Sequence, residues 1–71
     1  MAKTHRLREV LAKRLRAERA KKKWSQEVLA EKAGVHRTYI GFVERAEIAA
    51  TIDKVEDLAN ALGLSGHDLI T

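Results

Sequence analysis

The stretch SQEVLAEKAGVHRTYIGFVER, residues 25–45, decides the fold, because two short amphipathic patterns meet in it at a single glycine. Ser25 is a good N-cap, since its hydroxyl accepts from a free amide in the first turn of a helix that would run to Ala33. Leu29, Ala30 and Ala33 fall on the inward side of that helix. Gly34 follows, a residue that enters left-handed backbone without a Cβ penalty and so ends a helix. Val35 plugs the corner. The second pattern, opened by His36, carries Ile40 and Val43 three apart on one face, while Arg37, Thr38, Gly41 and Phe42 point elsewhere.

Two helices joined by three or four turn residues cross at roughly 90–120°. Ala30 would lie under that crossing, where a larger side chain would push the second helix away. A small residue at Ala30, glycine at Gly34 and apolar residues at Leu29, Ala33, Val35, Ile40 and Val43 are what the helix-turn-helix of the Cro and phage-repressor family requires, and all seven places are filled. The wording SQEVLAEKAGVHRTYI followed by VER is similar to regulators of the xenobiotic-response-element type. RTYI resembles the small controllers of restriction-modification systems.

The resemblance implies an all-α, compact five-helix, lambda-repressor-like DNA-binding domain. It further implies that an arginine in the first helix, here Arg19, pairs with a glutamate of the recognition helix, here Glu44. Such a charge-assisted, bidentate bond would tie the two helices together. The competing view is a pair of unpartnered surface charges. The chain departs from the family at Lys23, where glycine is usual, and at Ala46–Ala50, where glycine and then an asparagine-proline pair are usual. The first departure predicts a strained turn or an early end to the first helix. The second predicts a recognition helix running on through Glu47.

Composition narrows the classes. Seventy-one residues make one small domain, 1–71, in which no repeat, proline or linker announces a second. With no cysteine there is no disulfide, no thiolate nucleophile and no cysteine-based zinc site. No apolar run reaches the ~20 residues of a membrane span or forms a signal-peptide core, so a soluble, cytoplasmic protein is expected. Charge is polarised: residues 3–23 hold ten basic and two acidic side chains, residues 36–71 three basic and six acidic. A basic region of this kind speeds encounter with a polyanion and adds salt-sensitive affinity, without naming the polyanion. A merely solvated basic face is the plain alternative.

In chain order, Thr4 is placed to cap a long basic helix of about residues 4–23, with Leu7, Leu11 and Leu15 as its apolar seam and Ala12 beside them. Such a helix also has the pattern of a membrane-surface binder. Its seam is narrow, however, and the following residues require a partner. Trp24 reads as core. Thr51 caps a helix of about residues 51–62, with Ile52, Val55, Leu58, Ala59 and Leu62 inward and Gly63 as its stop. Ser65 opens a short helix of about residues 66–70. By resemblance this end forms a two-fold interface, for which Leu64, Leu69 and Ile70 are the candidates, though they would serve equally in a monomer core.

If the second motif helix enters a major groove, its N-terminal residues approach the bases. The reading positions implied by the resemblance hold Arg37, Thr38, His36, Phe42 and Gly41. Arg37 is the foremost, because a guanidinium donates two bonds to guanine O6 and N7. Its alternative is a phosphate contact. Gly41 offers no side chain to read with, and exposed Phe42 suits a thymine methyl or a protein partner. Ser25, Gln26, Tyr39 and Arg45 are the candidates for the DNA backbone, with Lys32 and Lys21–Lys23 as diffuse electrostatic support. His5, His36 and His67 lack metal spacing, Ser25 lacks a base, and the four glycines form no phosphate loop. The expectation is a non-enzymatic regulator without metal, cofactor or small-molecule substrate. It would be a repressor or controller that reads palindromic double-stranded DNA as a homodimer. The rival is a protein-interaction module on the same fold, such as the antidote of a toxin–antitoxin pair.

Overall fold

A computed structural model describes residues 5–71. Among them are five helices and no strand: α1 (Arg6–Lys21), α2 (Gln26–Ala33), α3 (Arg37–Glu44), α4 (Ile52–Leu62) and α5 (Gly66–Leu69). The all-helical expectation holds, with α1 two residues shorter at each end than the sequence implied. Thr4 lies outside the described residues, and the residue flanking α1 is His5.

Hydroxyl caps start three of the helices as expected. Ser25 Oγ accepts from the Val28 amide at 3.1 Å, and Thr51 Oγ1 from that of Lys54 at 3.1 Å. Ser65 Oγ accepts from the Asp68 amide at 3.2 Å while the Asp68 carboxylate accepts from the Ser65 amide at 3.2 Å, a reciprocal pair that lets a four-residue helix persist.

Four helices end alike. After α2 and α4, Gly34 and Gly63 take φ of 71° and 74°. The next amide returns to the helix, Val35 to the Ala30 carbonyl at 3.0 Å and Leu64 to that of Ala59 at 2.8 Å. The same geometry follows α1 and α3 without glycine: Lys23 and Ala46 adopt φ of 57° and 58°. Trp24 N–H donates to the Arg19 carbonyl at 3.2 Å, and Glu47 N–H to that of Phe42 at 3.0 Å. The backbone therefore keeps the left-handed turn at both departures, at about 1–2 kcal/mol per non-glycine residue. This corrects the expected extension of the recognition helix through Glu47. α3 stops at Glu44, where the Ala46 amide returns to the Val43 carbonyl and the Glu47 amide to that of Phe42, both at 3.0 Å.

The core is one cluster in which Leu11 and Leu15 of α1, Leu29 and Ala30 of α2, Ile40 and Val43 of α3, Leu58, Ala59 and Leu62 of α4 and Leu69 of α5 meet. Helix α2 packs on α3 and α4, while α1 bridges α3 and α5. Ala30, 4% exposed, lies in this cluster, and Ala33 and Val35 pack against it partly buried.

Two apolar assignments change and a third is decided. Leu7 is 61% exposed and Ile52 85% exposed, although both fall on the core-facing periodicity of their helices. Each occupies the first turn of its helix. Leu69, offered as an interface residue, is fully buried in the protomer's own core. Leu64 and Ile70 pack against that core and remain half-buried.

Candidate nucleic-acid interface

The position of α3 is fixed by Glu44, whose 3% exposure takes it out of water. Arg19 Nε donates to Glu44 Oε2 at 2.7 Å and Arg19 Nη2 to Oε1 at 2.9 Å, a two-pronged pairing between α1 and α3. Gln26 Nε2, at the start of α2, donates to the same Oε1 at 2.9 Å. The remaining Arg19 nitrogen, Nη1, donates to the Trp24 carbonyl at 2.9 Å, and the Arg16 guanidinium donates to the Glu44 backbone carbonyl. Three helices thus converge on one carboxylate. The bond it donates to Glu44 holds the Arg19 guanidinium above its ordinary pKa against the opposing effect of burial.

With α3 anchored at its C-terminal end, its N-terminal end faces solvent. His36, Arg37 and Thr38 are exposed. His36 Nδ1 accepts from the Thr38 amide at 3.0 Å, so the imidazole caps the helix, and its bond assigns the proton of the neutral ring to Nε2. Tyr39 is half-buried, and desolvation pushes its phenol above the usual tyrosine range. Two polar groups proposed for the DNA backbone are already engaged: the Ser25 hydroxyl by its cap, and the Gln26 amide nitrogen by Glu44.

Gly41 is buried rather than open on the reading face. A Cβ built there would lie 3.0 Å from Arg45 Nη1, so the guanidinium occupies the space a side chain would fill. Arg45 Cζ lies 5.4 Å from the centre of the Phe42 ring, and Arg45 Nε donates to Glu47 Oε1 at 3.0 Å. Phe42 keeps 38% exposure beneath this cover.

Trp24 is partly buried, as expected of core, but it also carries two cations. Lys22 Nζ and Lys32 Nζ each lie 5.2 Å from its ring centre, which fixes two of the diffuse basic residues in place. The sequence reading passed over Arg16 and Glu18. Glu18, 7% exposed, accepts from Arg14 Nε and Lys21 Nζ, both at 3.0 Å. The four- and three-residue spacings to Arg14 and Lys21 were its available signal. At the far end of the molecule, Leu7, Leu11, Ile52, Val55 and Ile70 line an open, mainly apolar groove of about 890 Å³.

The comparisons agree with this geometry. The sequence profile of the helix-turn-helix family matches residues 15–69. A hypothetical transcription factor of Neisseria meningitidis is 42% identical over 64 residues, covering 90% of this chain and 60% of that protein. Its solved counterpart from Neisseria superposes with a TM-score of 0.88 over 92% of this chain and 75% of that chain. The control protein C.SmaI of Serratia marcescens is 46% identical over 65 residues, 92% of this chain and 77% of that protein. The restriction-modification controller C.AhdI of Aeromonas hydrophila is 35% identical with a TM-score of 0.83, covering 87% of this chain and 94% of that structure. The chain belongs to the helix-turn-helix family of DNA-binding regulators, in its Cro and phage-repressor branch.

Proposed function

We propose that this chain is a sequence-specific transcription regulator that reads a near-palindromic operator as a homodimer, acting as a repressor or as a controller of the kind its Serratia and Aeromonas relatives are called. The observation that carries the reading is the pairing of an anchored and a free end on one helix. Glu44 pins the C-terminal end of α3 to α1 and α2, and Arg37 and Thr38 stand exposed at the other end. A side chain on a rigid, preplaced element presents its donors without reorganisation. Arg37 reads a guanine, Thr38 a neighbouring base edge or methyl, and Tyr39 and the α2 N-terminus take phosphates.

The groove at the opposite end supports the dimer. Ile52, Leu7 and Ile70 give a second copy an apolar face, while Leu69 is taken up by the protomer's own core. Two-fold pairing there would set two recognition helices against half-sites about 34–36 Å apart, one duplex turn. No helix among the described residues is long and apolar enough to cross a membrane, which fits a cytoplasmic regulator.

Selection from random duplexes at stated salt tests the reading, and a two-fold symmetric consensus is expected. Arg37→Ala should then lose about 1–3 kcal/mol of discrimination at one base pair per half-site while its circular dichroism stays helical. Recovery of no duplex, or an Arg37→Ala variant with unchanged preference, would count against it. If a fixed protein partner co-purifies instead, the antidote-type reading gains.

A further inference from the structure

We propose that Glu47 is an internal counter-ion that latches Arg45 and thereby sets how strongly, and with what salt dependence, this chain holds duplex DNA. The proposal rests on the reading that the exposed face of α3 meets DNA. Four residues build the latch. Gly41 clears the space, because a Cβ there would stand 3.0 Å from Arg45 Nη1. Phe42 supplies a ring face 5.4 Å from the guanidinium carbon. Glu47 accepts from Arg45 Nε at 3.0 Å, and the left-handed turn at Ala46 carries it into reach. Both partners remain about half-exposed, 55% for Arg45 and 49% for Glu47, so the pair lies at the surface where a phosphate competes for the same guanidinium.

The chemistry of that competition has a definite sign. An arginine that neutralises a phosphate contributes about 0.9 to the slope of log K against log salt through counterion release. An arginine already paired with a carboxylate brings nearly zero net charge to the phosphate, and the displaced carboxylate is left beside a polyanion. Arg45 therefore delivers less than a free arginine would, and Gly41, which offers no side chain to a base, leaves the guanidinium room to lie against α3. The latch lowers affinity for every duplex alike and leaves the preference set at Arg37 and Thr38 untouched.

The test is a double-mutant cycle on the selected duplex, titrated at several salt concentrations with wild type, Glu47→Gln, Arg45→Ala and the double variant. Glu47→Gln is expected to tighten binding about two- to fivefold, the range equivalent to an exposed ion pair. It should also steepen the salt slope by up to about one. In the Arg45→Ala background the same change should gain much less. An equal gain in both backgrounds would mean that Glu47 merely repels the duplex, and no gain in either would mean that the pair is idle; each overturns the latch. If wild type itself binds no duplex, the reading of the α3 face fails instead, which is a separate outcome.

Discussion

At one end of the molecule Glu44 accepts bonds from Arg19 and Gln26 and lends its carbonyl to Arg16, so that three helices share one buried carboxylate. At the other end Leu7 and Ile52 stand exposed along a groove that the described residues leave open. The first end is complete within a single chain, through polar bonds that demand exact partners. The second is apolar and non-directional, and it tolerates any complementary surface. Rigidity at the proposed reading end and an apolar face where a second copy would dock are what a two-fold reader would need from one small protomer, whose own core is too small to supply much stability alone.

Removing the carboxylate should do the most damage. Glu44→Ala leaves Arg19, 23% exposed, and half-buried Gln26 without their acceptor, and breaking one half of a buried pair costs up to about 3–5 kcal/mol. That is a large share of the ~5–15 kcal/mol that holds a small domain folded. Urea unfolding followed by circular dichroism measures it, and a loss below about 1 kcal/mol would show that the network is incidental.

Next in size is a charge placed in the groove. A buried isoleucine contributes about 1.5–3 kcal/mol, and two-fold symmetry counts it twice. Ile52→Asp should therefore raise the dimer dissociation constant on the order of a hundredfold or more, as read by sedimentation equilibrium. The unfolding free energy of the dilute monomer should hardly move, because the side chain is 85% exposed within the protomer. A dimer indifferent to Ile52→Asp would place the interface elsewhere. The contrast between the two ends would then lose its second half.

The polar end was more legible in the sequence than the apolar one, and for a physical reason. Ser25, Ala30 and Gly34 obey local rules of capping, close packing and left-handed backbone that need only a few neighbouring residues. The Arg19–Glu44 bond came from family resemblance, not from spacing, since 25 positions separate the partners. Helical periodicity placed Leu7 and Ile52 on the right faces but carries no information on how far the opposing helices extend. Both were therefore assigned to a core that ends before reaching them. Gly41 was opaque for a different reason. Its meaning lies in the Arg45 side chain four residues on, and a missing Cβ has no sequence signature of its own. The backbone at Lys23 and Ala46 shows a family turn surviving the loss of the glycine that usually makes it.

That survival predicts a smaller, stabilising effect at the polar end. Ala46→Gly removes about 1–2 kcal/mol of left-handed strain and gives back about 0.4–1 kcal/mol through the freer unfolded chain. A net gain of about 0.5–1 kcal/mol should appear as a rise in Tm of several degrees for a domain of this size. No rise would mean that the positive φ of 58° relaxes elsewhere at no cost.

The smallest effect separates the two ends by acid. The hydrogen bond from Lys21 holds the Glu18 carboxyl below the ordinary glutamate range, burial opposes this, and Arg14 adds to the lowering. A carboxylate whose folded pKa lies below its unfolded one stabilises the fold above the unfolded value, and that contribution is lost as pH falls through the folded value. Asp68, in α5 beside the groove, is lowered in the same sense by its bonds with Ser65. Glu18→Gln removes only the first of the two, so the difference between variant and wild type isolates Glu18 while the Asp68 response is common to both. Wild type should therefore lose stability more steeply than Glu18→Gln as pH falls below about 5, with the gap closing as the carboxyl protonates. Parallel acid limbs in urea titrations would show that Glu18 gains nothing from its two cations beyond what the unfolded chain already supplies.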